Sequence, residues 1–134
     1  MIEVETRAPD AVAAPLEAAV RFVCDRLGVT RASVGLLVVD AAEMGRINAE
    51  HRGKAEPTDV LSFPVDGPEV LRGWPSEGPP PELGDVVICP EAADDPLTTL
   101  AVHGVLHLLG FDHETDGGEM LSLQDRLVQE MAAA

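Results

Sequence analysis

The sequence predicts an α/β (α+β) fold: one compact domain, residues 1–134, in which a small mixed four-stranded sheet packs with about four to five helices and a metal site lies at the end of a helix. Three observations support this prediction. The first is the length of 134 residues, which suits a single domain. The second is that segments with strand and helix periodicity follow one another along the chain, and the third is that no internal repeat marks a second domain.

The first half of the chain predicts two strands, each followed by a helix. MIEVET alternates apolar and acidic residues, as an edge or half-buried strand does, and ASVGLLVVD has the length of a central strand. Between them, PLEAAVRFVCDRLG carries an apolar stripe, with Pro15 as the first helical residue and Gly28 as the stop. In DAAEMGRINAEHRG, Asp40 and Glu43 have the spacing of a capping box, and Gly53 suits the end of a helix.

The second half predicts two strands and two helices. The strands are TDVLSFPV and LGDVVICP, and the Gly/Pro-rich segment between them, Asp66 to Glu82, is expected to be a long surface loop or lid. Asp95 and Pro96 suit the cap and first residue of a helix that runs to Leu109, with Gly110 as its stop. The tail GGEMLSLQDRLVQEMAAA has the apolar spacing of an amphipathic helix. The predicted order is therefore β-α-β-α-β-β-α-α.

Composition disfavours several classes of protein. The net charge of −15 argues against a general nucleic-acid binder, because an acidic surface repels phosphate backbones at long range. The acidic start MIEVETRAPD is unlike a secretory signal, and no apolar run is long enough to span a membrane. Cys24 and Cys89 are expected to be reduced thiols. We therefore expect a cytoplasmic protein without a membrane partner.

Three of the four histidines lie within HGVLHLLGFDH. On a helix, His103 and His107 are one turn apart, about 6 Å along the axis and about 40° around it, so both imidazoles leave the same face. Gly110 lets the chain turn and bring His113 back over that face. Three imidazoles with an open fourth position are a common arrangement for catalytic zinc. The spacing predicts one zinc ion per chain.

The same stretch nearly matches the zinc-peptidase pattern His-Glu-x-x-His-x-x-Gly-x-x-His. Position 104 is Gly, whereas a peptidase carries there the Glu that takes a proton from the metal-bound water. Without that carboxylate the metal ligands remain, but the peptidase mechanism loses its general base. Gly104 therefore argues against proteolysis.

Three blocks of the sequence resemble the YbeY endoribonucleases, which are bacterial rRNA maturation factors. HGVLHLLGFDH is similar to the histidine motif of that family, and LGDVVICP is similar to its Leu-Gly-Asp-Ile strand. INAEHRGKAEPTDVLSFPVD resembles the segment Asn-x-x-x-Arg-Gly-Lys-x-x-x-Thr-Asp-Val-Leu-Ser-Phe-Pro. The blocks span residues 47–113 in the family's order. Phe111 stands where Tyr is more usual, and Ala55 where Asp is common.

The resemblance implies a zinc-dependent, single-strand-preferring endoribonuclease that acts in ribosome quality control and in maturation of the 3′ end of small-subunit rRNA. It gives His103, His107 and His113 the role of zinc ligands and Arg52 a catalytic, phosphate-facing role. An arginine suits that role because its guanidinium donates two parallel N–H groups. The implied partners are single-stranded RNA or small-subunit rRNA, proteins of the small ribosomal subunit and a ribosome-assembly GTPase, but not DNA.

Four carboxylates near these motifs are candidates for supporting roles. Asp59 is expected to cap a turn or brace Arg52 rather than to act as a base, and Asp85 lies beside a predicted strand. Asp112 and Glu114 flank the third histidine and could fix the tautomer of an imidazole. The general base and the nucleophile stay unassigned.

Two other functions stay open on the sequence alone. One is another metal hydrolase, such as a peptidase-like zinc protein that lacks the usual Glu base, although Gly104 and Arg52 disfavour it. The other is a non-enzymatic ribosome-assembly module whose zinc staples the fold. A fourth protein ligand would support that module, because structural zinc sites are usually closed.

Overall fold

The computed structural model describes residues 2–53, 57–66, 75 and 77–133. The elements are β1 (Ile2–Arg7), α1 (Asp10–Arg26), β2 (Ala32–Val38), α2 (Ala41–Arg52), β3 (Val60–Pro64), β4 (Glu82–Ile88), α3 (Leu97–Leu108) and α4 (Glu119–Ala133). A short 3-10 turn, Pro90–Ala92, connects β4 to α3. The predicted α/β class and the order of elements are confirmed.

The sheet has the strand order β1-β2-β4-β3. β1 runs parallel to β2 and β2 parallel to β4, whereas β3 runs antiparallel to β4. The sheet is therefore mixed, as predicted. β2 is a central strand, and β1 and β3 form the two edges. An edge strand leaves one row of backbone groups without a partner strand, and the β3 edge borders the site described below.

α1 begins earlier than the sequence predicts. Its first residue is Asp10, so Pro15 lies inside the helix, and the expectation that Pro15 begins it was wrong. The Ala-rich segment before Pro15 is itself a good helix former, and burial of an apolar stripe offsets the one backbone bond that the proline removes. The predicted stop at Gly28 is confirmed, with φ +77°. The stripe buries Leu16, Val20 and Val23.

Both ends of α2 lie where the sequence predicts. The Asp40 carboxylate accepts from the Glu43 backbone N–H at 2.8 Å, and Gly53 adopts φ +71° at the far end. The Glu43 carboxylate pairs with Arg46. α2 therefore has the predicted side-chain cap at its start and a glycine stop beside Arg52.

α3 begins one residue later than expected. Pro96 is extended, with ψ 143°, and precedes the first helical residue, and no side chain caps the helix. The prediction that Asp95 caps α3 was therefore wrong, because a proline fits the residue before a helix as well as its first position. The predicted turn at Gly110 is confirmed by its φ of +95°. α4 buries Met120 and Leu127 on one face, as its apolar spacing predicts.

Helices cover both faces of the sheet. Val86 and Ile88 of β4 belong to the larger core, which includes α1, α3 and α4, whereas Val87 packs in a smaller cluster under α2. Alternate residues of a strand point to opposite faces, so α2 and α3 lie on opposite sides of the sheet. Both cysteines are free and buried, as expected, and burial raises the pKa of the Cys24 thiol to about 11.

α3 lies close to the sheet at Gly104. A Cβ at Gly104 would come within 2.5 Å of Val86 Cγ1. The Ser62 hydroxyl of β3 donates to the Gly104 carbonyl at 3.0 Å. These contacts fix the middle turn of α3 against β3 and β4, and both histidines of α3 lie within a turn of it.

The predicted loop between β3 and β4 lies mostly outside the described residues. Its two ends are joined, since the Glu82 backbone N–H donates to the Asp66 carboxylate at 2.7 Å. The Arg31 guanidinium donates to the carbonyl of Pro75 at 2.7 Å and also to that of Gly78. Of the helices in the described part of the chain, none combines the length and apolar character that a membrane span needs.

Candidate metal centre

Three histidines converge at the end of α3. His103 and His107 leave the same face of the helix, and His113 follows the turn at Gly110. Their ligand nitrogens lie within 4.8 Å of one another, and their ring centroids are 4.7 to 5.2 Å apart. This group could hold a metal ion, and no fourth His, Cys, Asp or Glu among the described residues joins it.

Hydrogen bonds orient two of the three rings. His107 Nδ1 lies 3.0 Å from the backbone oxygen of Phe111, and His103 Nδ1 lies 2.7 Å from Oε1 of Gln124. A carbonyl oxygen can only accept, so each Nδ1 is the donor, and Nε2 is the nitrogen that offers a lone pair when the ring is neutral. Neutral imidazoles held in this tautomer are the donors that a divalent zinc ion takes. The residues present therefore fit the metal that the sequence predicts.

The pKa of His107 also favours the metal-binding form. Burial lowers this pKa below the ordinary value of 6.5, and repulsion from His103 and His113 lowers it further. The Phe111 carbonyl and the Asp112 carboxylate act in the opposite direction, but the shift remains downward. His107 is therefore neutral at neutral pH, as a metal ligand must be.

The sequence did not single out Gln124. It lies on α4, four residues after the buried Met120, and therefore on the inward stripe of an amphipathic helix. A polar side chain on an inward stripe needs a partner, and that signal could have identified it. The partner of His107 is a backbone carbonyl, so having Phe rather than Tyr at position 111 leaves this hydrogen bond in place.

A cleft of about 760 Å³ adjoins the histidines. It is lined by the end of α2, by residues 58–64 and by residues 110–114. Because α2 and α3 lie on opposite faces of the sheet, the cleft wraps around the β3 edge. Arg52 thereby reaches from α2 into the same cleft as the three histidines of the metal group.

Arg52 is available to bind an anion in this cleft. It is the last residue of α2, and its side chain is exposed. Within residues 2–53, 57–66, 75 and 77–133, no acidic group forms an ion pair with it. Arg46, one and a half turns earlier on the same helix, instead pairs with Glu43 and Glu50. The charge of Arg52 is therefore not neutralised by a described neighbour.

Two of the candidate carboxylates shape turns at the rim of the cleft. The Asp59 carboxylate accepts from the Val60 backbone N–H at 2.8 Å and so caps the start of β3. The Asp112 carboxylate accepts from the Glu114 backbone N–H at 3.0 Å, in the turn that carries His113. Asp59, Asp112 and Glu114 all line the cleft.

Asp85 is not among the residues that line the cleft, although it pairs across the sheet with Phe63, which is. It is on β4, opposite Gly35 of β2, where a Cβ would overlap its carboxylate oxygen. Its neighbour Gly84 has φ +143°, and a Cβ there would come within 2.8 Å of Pro64 Cα. The glycine of LGDVVICP is thus required for the close approach of β3.

Comparison with known proteins places the chain in a family. The model of the family described as Endoribonuclease YbeY matches residues 2–132. The chain belongs to the YbeY family. The resemblance of the three sequence blocks is thereby confirmed, and it extends over nearly the whole chain.

Curated relatives agree with this assignment. An endoribonuclease YbeY from Micrococcus luteus is 45% identical over 125 residues, which cover 83% of this chain and 78% of the relative. An endoribonuclease YbeY from Mycolicibacterium paratuberculosis is 38% identical over 141 residues, covering 92% of this chain and 78% of the relative.

A solved structure agrees with the fold. The solution structure of a Thermotoga maritima protein superposes with a TM-score of 0.60 at 25% identity. The match covers 97% of this chain and 88% of the other. The fold of this chain is therefore shared by a protein of known structure.

Proposed function

We propose that this chain is a zinc-dependent endoribonuclease that cuts single-stranded RNA. One observation carries the proposal: three convergent imidazoles and an arginine without an acidic partner among the described residues line one cleft. Relatives named Endoribonuclease YbeY support RNA as the substrate. Imidazole ligands favour zinc over the hard cations that prefer oxygen.

The histidines, Arg52 and the groups that orient them have distinct chemical roles in this proposal. His103, His107 and His113 hold the zinc ion, which when bound supplies a Lewis acid for phosphodiester cleavage. Arg52 donates two N–H groups to the phosphate and stabilises the negative charge that develops on its oxygens. Gln124 and the Phe111 carbonyl keep the imidazoles of α3 oriented.

The structure gives a reason to disfavour peptide hydrolysis. Position 104 faces the sheet, where even a Cβ would press on Val86. A glutamate could not occupy that position as α3 is packed, so the peptidase base is absent for a steric reason. Phosphodiester cleavage can use the RNA 2′-hydroxyl as its nucleophile and Arg52 as a donor to the phosphate, and the group that takes the hydroxyl proton stays unassigned.

A zinc-stapled assembly module is also less well supported. A structural zinc site is usually closed by four protein ligands, whereas the group in the described residues has three and opens on the cleft. An open position beside a cleft is typical of a catalytic site.

The cellular role we propose follows the family resemblance. We propose a cytoplasmic enzyme that matures the 3′ end of small-subunit rRNA and acts in ribosome quality control. The net charge of −15 weakens long-range attraction to RNA. Recruitment by a protein of the small ribosomal subunit or a ribosome-assembly GTPase would compensate, since a protein contact does not depend on phosphate attraction.

Cleavage assays test the proposed activity. We expect slow cutting of single-stranded RNA that a chelator abolishes, and no cleavage of casein. The assay should run at low ionic strength, because salt weakens RNA binding, with His107→Ala as the contamination control. DNA of the same sequence should survive if the 2′-hydroxyl is the nucleophile. Peptidase activity that disappears in His107→Ala, without RNA cleavage by the wild type, would overturn the proposal.

A further inference from the structure

The fourth histidine lies in the same cleft but outside the metal group. His51 is exposed on the last turn of α2 and lines the cleft next to Arg52. Its ring packs on Phe63 of β3, with centroids 4.8 Å apart and an angle of 54° between the planes. Phe63 also packs against the smaller core cluster. One ring of the pair is thus anchored in the fold, and the other faces the solvent of the cleft.

Aromatic side chains are concentrated at this site. The whole chain has three Phe, one Trp and no Tyr. Two of the three phenylalanines, Phe63 and Phe111, line the cleft, one on each side of the β3 edge. In a chain whose core is built from aliphatic residues, this concentration favours a binding surface for planar groups.

We propose that His51 and Phe63 form a stacking platform for one unpaired nucleobase of the RNA substrate, beside the phosphate that Arg52 binds. This inference rests on the proposed function. His51 and Arg52 are consecutive, so one turn of α2 presents a ring for a base and a guanidinium for the neighbouring phosphate. Stacking of a base on an aromatic ring tolerates every sequence, because every base has a π-face.

The platform explains a preference for single strands without any reading of sequence. A base can stack on a protein ring only when it has left its own helix, so a duplex cannot use the platform. Stacking also depends weakly on salt, unlike phosphate attraction. In a chain with a net charge of −15, such a contact supplies affinity that the surface charge does not.

Steady-state kinetics of His51→Ala test the platform in the zinc-loaded protein. The loss of one stacked base corresponds to roughly 5- to 150-fold in affinity. We therefore expect KM for single-stranded RNA to rise about 10-fold, while kcat changes less than about 3-fold, as for loss of a contact made equally in the ground and transition states. His51→Phe should restore KM, because it keeps the ring but not the imidazole. Leu121→Ala is the matched control, since Leu121 is exposed and lies outside the cleft lining.

RNA substrates with a single abasic nucleotide locate the base. For the wild type, one abasic position near the cut should raise KM about as much as His51→Ala does, and the variant should be insensitive to that position. Equal KM values for wild type and His51→Ala on intact RNA would overturn the platform. The platform would also be overturned if kcat fell by more than the expected limit of about 3-fold, and equally, in His51→Phe and His51→Ala. This result would indicate that the imidazole transfers a proton.

A binding measurement separates this inference from the proposed activity. RNA that carries 2-aminopurine at the located position, or at each position in turn if no cleavage is seen, should lose fluorescence on binding wild type and His51→Phe, but not on binding His51→Ala. Quenching without cleavage would leave the platform standing and refute the endoribonuclease proposal. Cleavage by the wild type with equal quenching in His51→Ala would refute the platform alone.

Discussion

The geometry of the candidate metal centre depends on residues outside the three histidines. Gln124 on α4 and the backbone of Phe111 accept from the Nδ1 groups of His103 and His107. Each bond fixes the ring rotation and the tautomer before an ion arrives. Rings that are already oriented lose less conformational freedom on binding a metal.

Replacing Gln124 should therefore weaken zinc binding. We expect Gln124→Ala to lower zinc affinity by about 10- to 100-fold, because loss of a partner that orients a ligand has effects of this size. Gln124→Glu keeps an acceptor oxygen and should retain wild-type affinity or exceed it. A competition titration against a zinc-chelating dye measures both. Unchanged affinity in Gln124→Ala would show that the α4 contact does not position His103.

Arg52 should matter for the reaction and not for the fold. We expect Arg52→Ala to lower RNA cleavage at least ~100-fold, as for loss of a donor to developing charge, with zinc content and melting temperature unchanged. Arg52→Lys should also be slow, since an ammonium does not reproduce the two parallel donors. Arg46→Ala is the control, because Arg46 is paired on the same helix. Loss of metal together with stability in Arg52→Ala would reassign the residue to structure.

The lowered pKa of His107 makes the stability of the metal-free protein depend on pH. The unfolded chain has the ordinary imidazole pKa of 6.5, and burial lowers that of the folded chain. As the pH falls below 6.5, the unfolded chain takes up a proton on His107 before the folded chain does. The free energy of unfolding therefore falls as the pH falls between the pKa of the unfolded chain and the lower pKa of the folded chain. Urea titrations of metal-free protein between pH 5 and about 7.5 should show a shallower dependence in His107→Ala. Identical pH slopes in both proteins would contradict this prediction.

At the scale of elements, the site depends on how closely α3 approaches the sheet. Both ligands of α3 lie within one turn of Gly104, whose carbonyl accepts from Ser62. A side chain at position 104 would push α3 away from β4 or displace Val86. The glycine that differs from the zinc-peptidase pattern is thus a packing requirement of this fold.

Gly104→Ala should destabilise the protein despite the better helix propensity of alanine. Overpacking against a branched side chain costs about 1–3 kcal/mol, whereas replacing a helical glycine gains at most roughly 1 kcal/mol, so over most of this range the net effect is destabilising. We expect a lower melting temperature and a lower urea midpoint. Val86→Ala in the same protein should remove the clash. The double variant should therefore lose less stability than the sum of the losses in the two single variants. Strict additivity would contradict the proposed contact.

At the scale of the whole molecule, the pattern of apolar residues was enough to predict the elements and their order. Periodicity depends only on which residues share a face, so helices and strands were identified even where their ends were not. The start of α3 was misplaced because a proline fits both the residue before a helix and its first turn. Pro15 shows a further limit, since tertiary burial tolerated a proline inside a helix.

The metal group was predictable and its surroundings were not. The spacing of His103 and His107 is a local property, and the glycine after them indicates the turn to His113. The partner of His103 and the stacking of His51 on Phe63 depend on how α4 meets α3 and how α2 meets β3. Such distances between elements are not encoded in any short stretch of sequence.

Zinc content per chain, measured by elemental analysis after gel filtration, tests the central claim most directly. We expect one zinc per wild-type chain and almost none in His107→Ala, with a lower melting temperature because binding free energy is coupled to folding. His51→Ala is the matched histidine control and should keep one zinc, since His51 lies outside the metal group. Full zinc occupancy in His107→Ala, or a wild-type chain that does not take up one equivalent, would contradict the metal centre.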